Sequence, residues 1–160
     1  IPDLSSVKTI GRDAFHYCIK LSKITFANNS TLGTIGSNAF RFCFSLSKIV
    51  FPPTVVQIDE FAFLECEKLK QIEIPPYLYK ISDGIFMCCN GLKQVSIPST
   101  VVAIGKSSFE GCSSLVNLSF ENLSNIKLID DRAFNGCTSL KNFQIPSSVE
   151  SVGQDIFGNI

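Results

Sequence analysis

Seven phenylalanines, Phe15, Phe40, Phe63, Phe86, Phe109, Phe134 and Phe157, recur at spacings of 25, 23, 23, 23, 25 and 23 residues. Around each runs the same sentence: an apolar-Pro start, Val-x-x-Ile-Gly, Ala-Phe, then Cys-x-x-Leu-x-x-Ile. A short fixed period of this kind is the mark of a solenoid, in which each unit buries its apolar side only against its neighbours. The 160 residues therefore count repeats and not domains. We expect one repeat domain spanning 1–160, in the α/β class, with about seven units of 23–25 residues. The chain opens at Ile1-Pro2, inside the repeat sentence, and stops just after the seventh phenylalanine, so it reads as a piece of something longer.

One unit shows the expected course. In Ile97 to Phe120, Leu115, Leu118 and Phe120 are spaced as a short strand whose inner side is apolar, and Asn117 and Ser119 alternate to the solvent side. Pro98 cannot donate a ladder hydrogen bond and ends the preceding strand; Val101 and Ile104 lead the chain back. The turn former at Gly105, matched by Gly11, Gly36, Asp59, Ser82, Asp130 and Gly153, precedes what we expect to be a short helical turn carrying the Phe and the Cys. Stacked units place like residues in columns about 4.8 Å apart. The Val/Leu column at 7, 32, 55, 78, 101, 126 and 149 and the Ile column beginning Ile10, Ile35, Ile58 are core. Three units carry two extra residues between strand and return segment, which puts loops around Asn28 and Asn122 on the outside.

Through IPSSVESVG, IGSNAF, FEGCSSL and FNGCTSL the chain resembles the BspA-type leucine-rich repeats of bacterial and protist surface proteins. The resemblance covers essentially the whole chain. It implies a right-handed array with a parallel strand ladder on one face, and short helical turns and return segments on the other. It also implies a cell-surface or secreted location and a role in binding proteins or matrix. A fold does not fix a function, so an intracellular scaffold, cytoplasmic and using the same surfaces, stays open beside the adhesion reading.

Composition narrows the partners. The formal net charge is zero, from 14 basic and 14 acidic residues, so no footprint for nucleic acid or an anionic membrane is visible. No apolar run approaches the roughly 18 residues of a membrane span. Six of the seven cysteines, Cys18, Cys43, Cys66, Cys89, Cys112 and Cys137, share one column, and Cys88 is the odd one out. Column neighbours point in parallel, whereas a disulfide needs Cβ atoms facing each other at about 3.5–4.5 Å, so we expect free, buried thiols. No Cys spacing converges on a metal, and His16, the only histidine, sits at an outward position between Phe15 and Tyr17. We expect no enzyme activity, no cofactor and no metal.

Two surfaces remain as candidates. The strand face offers three outward columns: Ser22, Ser47, Lys70, Lys93, Val116 and Lys141; Lys23, Lys48, Gln71, Gln94, Asn117 and Asn142; and Thr25, Val50, Glu73, Ser96, Ser119 and Gln144. This face is polar, mildly basic and rich in amides. It suits a protein or glycan ligand, or it is an ordinary solvated face. On the turn side, Tyr17, Phe42, Phe44, Leu64, Met87 and Cys88 could form an apolar patch, which marks either an interface, including self-association, or ground covered by a preceding domain. Sequons at Asn28, Asn29 and Asn122, with a further one at Asn117, offer glycosylation sites.

Overall fold

In a computed structural model of the chain, which describes residues 6–121, 125–141 and 143–158, the units stack as a parallel β-solenoid. One face carries the strands β2 (Lys23–Ile24), β4 (Lys48–Ile49), β6 (Gln71–Glu73), β8 (Gln94–Ile97) and β10 (Asn117–Phe120). The return face carries β1 (Thr9–Ile10), β3 (Thr34–Ile35), β5 (Gln57–Ile58), β7 (Lys80–Ile81), β9 (Ala103–Ile104), β11 (Leu128–Ile129) and β12 (Ser151–Val152). All pairings are parallel and follow the repeat, as in Thr9 beside Thr34 and Ile81 beside Ile104. The return segment is thus itself a ladder, running β1-β3-β5 and β7-β9-β11-β12.

Between the faces the phenylalanines form a stack. Successive rings from Phe15 to Phe157 lie 5.2–6.0 Å apart and within 29° of parallel. Phe40, Phe63, Phe86, Phe109 and Phe134 are fully buried, together with the central members of the expected Ile and Leu columns, whereas Phe15 is 39% exposed, Val7, Ile10, Leu21 and Val149 are partly buried, and Val152, expected in the core, is exposed because no described unit covers it. Each prolyl carbonyl that follows a strand accepts the amide three residues on, as in Val55 to Pro52 and Val101 to Pro98, both at 3.1 Å. The strand therefore ends in a tight turn wherever the missing prolyl N–H would have continued it.

The short helical turns expected around each Phe are not there: among the described residues the segment is a run of non-helical turns. The reason is a repeated left-handed backbone. The residue two before each Phe has φ between 51° and 58°, and the residue two after has φ between 57° and 75° at Tyr17, Phe42, Glu65, Cys88, Gly111 and Gly136. Positive φ twice within five residues cannot continue a right-handed helix. It aims alternate amides outward along the solenoid axis. The amides of Asn38, Phe40 and Phe42 donate to the carbonyls of Glu60, Ala62 and Leu64 in the next unit, at 3.1, 2.8 and 2.9 Å. Those of Ala39, Arg41 and Cys43 donate within the turn, to the carbonyl three residues back. The turns thereby form a third inter-unit ladder, which in the turn from Asn38 to Cys43 satisfies every amide and compensates the cost of the left-handed residues.

The cysteine column is free of disulfides. Each thiol from Cys43 onward donates to the carbonyl of the central Phe in the preceding unit: Cys43 to Phe15, Cys66 to Phe40, Cys89 to Phe63, Cys112 to Phe86 and Cys137 to Phe109, at 3.1–3.3 Å. The column packs like a small apolar side chain and adds a weak donor for a carbonyl that would otherwise lack a second partner. Ser108 departs from this economy. It occupies the position before Phe109 that holds Ala39, Ala62 and Ala133 in sister units, is fully buried, and its hydroxyl has no partner. Ser108→Ala should therefore raise stability by about 1 kcal/mol or more in urea unfolding; a loss of stability would show that the hydroxyl is satisfied after all.

Candidate functional site

The strand face carries the larger concavity. Lys70 and Gln71 are both exposed, Ile72 turns into the core and Glu73 turns out again, so each strand presents a short polar run over an apolar floor. Register aligns these runs. Gln71, Gln94 and Asn117 stand side by side, as do Glu73, Ser96 and Ser119. A groove of about 550 Å³ crosses β4, β6, β8 and β10. Of the residues singled out from the sequence, Lys48, Lys70, Gln71, Glu73, Gln94 and Asn117 line it. Lys23, Lys93 and Lys141 are exposed on the same face outside the groove, and Asn142 lies outside the described residues. Ser47, Val50, Ser96 and Ser119 join the lining from the same columns. Ile49, Ile72 and Val95 reach the groove floor although strand alternation assigns them to the core, and nothing in the sequence signals that double role.

The turn side gathers part of the apolar set. Tyr17 and Phe42 rings lie 4.6 Å apart, Phe42 and Phe44 5.9 Å, and the His16 ring contacts both Tyr17 and Phe42. The Arg41 guanidinium sits 4.5 Å over the Phe42 ring. Leu64 is buried and adds little surface, while Met87 and Phe61 line a separate cleft of about 370 Å³ with Glu60, Lys80, Asp83 and Lys106. Of the sequon asparagines, Asn28 and Asn29 are exposed on the expected outer loop, Asn117 lies in the groove, and Asn122 lies outside the described residues.

A family profile described as "BspA type Leucine rich repeat region" matches the chain over residues 1–116 and 33–160, with 6 copies. The chain belongs to the BspA-type leucine-rich repeat family. No curated protein matches it. Among solved structures it is similar to a leucine-rich repeat protein of T. pallidum, with 29% identity and a TM-score of 0.85 over 94% of this chain and 69% of that one. It is also similar to a leucine-rich repeat protein from Bacteroides ovatus, with 33% identity and a TM-score of 0.88 over 99% of this chain. This BspA-type chain spans only 39% of the length of the Bacteroides protein. A leucine rich cell surface protein from Faecalibacterium prausnitzii shares the fold at 24% identity and a TM-score of 0.65, over 94% of this chain and 55% of that one.

Five cysteines of this BspA-type chain, Cys43, Cys66, Cys88, Cys89 and Cys112, are held in the thiol form. Burial pushes the Cys43 thiol up to about 11, and burial likewise lifts Cys66, Cys89 and Cys112 well above the ordinary thiol range. Cys88, only partly buried, is raised first by desolvation and then by the carboxylates of Glu65, Glu110 and Glu67. The thiolate is the reactive form, so these shifts suppress attack at neutral pH. We expect a thiol-reactive dye at pH 8 to label Cys18 and Cys88 ahead of the five buried cysteines, which should react only on unfolding; prompt labelling of Cys89 or Cys112 in the folded protein would contradict the packing described. His16, the one imidazole, is held against Tyr17 and Phe42 and lies 3.8 Å from Asp13.

Proposed function

We propose that this BspA-type domain is a non-enzymatic binding module, a cell-surface or secreted adhesion domain that takes a protein ligand in the strand-face groove. Leucine-rich repeats are typical protein–protein interaction folds, and extended solenoid faces are where such folds bind. The observation that carries the reading is the groove itself: a concavity shared by four strands, with aligned amide and hydroxyl columns above the apolar floor of Ile49, Ile72 and Val95. Polar groups over an apolar base provide both orientation and desolvation in recognition. The naming of one structural relative as a cell surface protein supports the location. Among the described residues no helix is long and apolar enough to cross a membrane.

The test is steric. Ser96 stands between Glu73 and Ser119 in the third outward column, so Ser96→Trp fills the groove without altering charge. Against a panel of immobilised matrix and cell-surface proteins, any ligand bound by the wild type should bind Ser96→Trp at least about tenfold more weakly, about 1.4 kcal/mol, with an unchanged melting profile. Equal binding by both proteins would remove the groove as the site.

A further inference from the structure

The charges of this chain sum to zero, yet they are sorted by face. Among the described residues the ion pairs between lysine or arginine and carboxylate are Lys80–Asp83, Lys106–Asp131, Lys127–Glu150 and Arg132–Glu110, all on the return and turn sides. Lys8, Arg12, Lys20, Arg41 and Lys68, off the strand face, have no such pair among the described residues either, so what sets the strand face apart is its excess of lysine, five in its outward columns. Lys23 and Lys48 open β2 and β4, Lys70 and Lys93 stand immediately before β6 and β8, and none of the four has a carboxylate within ion-pair distance among the described residues. Lys23 and Lys48 are direct ladder partners, and the amide of Lys93 bonds the carbonyl of Lys70, so like charges stand side by side in two successive pairs. Like charges directly opposite on a sheet repel. Glu73 is the lone carboxylate in the three outward columns.

We propose that the ligand of this face is an acidic protein segment bound in extended form along the solenoid axis. The inference rests on the groove reading above and adds the chemistry of the partner. An anionic chain would relieve the lysine–lysine repulsion that the fold itself leaves uncompensated, and the complementary field would speed encounter. The row Gln71, Gln94 and Asn117 beside the lysines offers amides that both donate and accept, which suits a peptide main chain with its alternating N–H and C=O groups. From Lys23 to Asn117 the ladder takes four steps of about 4.8 Å, so roughly six extended residues cover it. Val50 and Val116, exposed at 47% and 60%, flank the row and provide apolar contact for side chains between the acidic ones.

The probe is a fluorescein-labelled peptide of about twelve residues, twice that span, alternating Glu and Ser; its Lys-Ser counterpart and polygalacturonate form the other arms. At low ionic strength the acidic peptide should bind, the basic one should not, and added salt should weaken the complex by screening. Lys70→Glu with Lys93→Glu should lose at least about tenfold in affinity, while Lys106→Glu with Lys127→Glu, the same change of net charge on the other faces, should lose less than about twofold. Circular dichroism melts of both double variants confirm folding. Equal losses in the two variants, indifference to peptide charge, or capture of polygalacturonate without the peptide would overturn the proposal. If the acidic peptide fails while Ser96→Trp still blocks a protein ligand, the acidic partner falls and the groove stands.

Discussion

Phe86→Ala should lower the stability of this solenoid by about 3–5 kcal/mol, the range for removing a fully buried phenylalanine ring. Phe86 is stacked between Phe63 at 5.7 Å and Phe109 at 5.5 Å, so truncation strips an aromatic contact from both neighbours and leaves a hole that spans two inter-unit interfaces. Phe15→Ala is the control. That ring stacks on Phe40 alone, is 39% exposed, and should cost well under half as much. Because stability in a repeat array is a sum of units and nearest-neighbour interfaces, the central variant should also broaden or split the urea transition seen by circular dichroism. Equal costs at the two positions would mean that the array does not behave as a chain of local interfaces.

Gly84→Val should cost about 2–3 kcal/mol, through two separable causes. Gly84 has a φ of 58°, where a Cβ is strained by about 1–2 kcal/mol and β-branching is worse. Its own Cβ would also fall 2.2 Å from a ring carbon of Phe61. The second cause can be removed. In a Phe61→Ala background the ring is gone and the cost of Gly84→Val should shrink to the backbone part, giving a coupling energy of order 1 kcal/mol in a double-mutant cycle. Identical costs in both backgrounds would refute the contact. The position lies where the return-face ladder passes from the sheet ending in β5 to the sheet beginning with β7, beside the cleft lined by Phe61 and Met87.

Much of this was legible because identity repeats. Column membership alone separates Leu92 and Ile104, in the core, from Lys93 and Gln94, on the surface, and it assigns Cys112 to packing, where the thiol donates to the Phe86 carbonyl. The turn conformation was hidden for an equally definite reason. Left-handed backbone announces itself through glycine, and the positions flanking each Phe hold Gly84, Gly111 and Gly136 in some units but Phe61, Arg132, Tyr17 and Glu65 in others. Phe61, Arg132, Tyr17 and Glu65 adopt positive φ because the amide of each reaches a carbonyl of the next unit, a tertiary cause that no local preference encodes. The groove was half legible. Its polar wall follows from alternation at Gln71 and Glu73, but that the buried Ile49 and Val95 also form its floor depends on how neighbouring units stack, which no single strand encodes.

The three ladders that tie unit to unit all run along one axis, and this sets how the domain responds to tension. Pulled by its two ends, the stack presents its strand, return and turn hydrogen bonds end on, so load falls on one terminal interface at a time. Each unit should peel away in turn, releasing roughly 23 residues or about 75 Å of slack per event, and the next unit then meets the same resistance. A stack of this construction lengthens in small, nearly equal steps under load and keeps the remaining units folded.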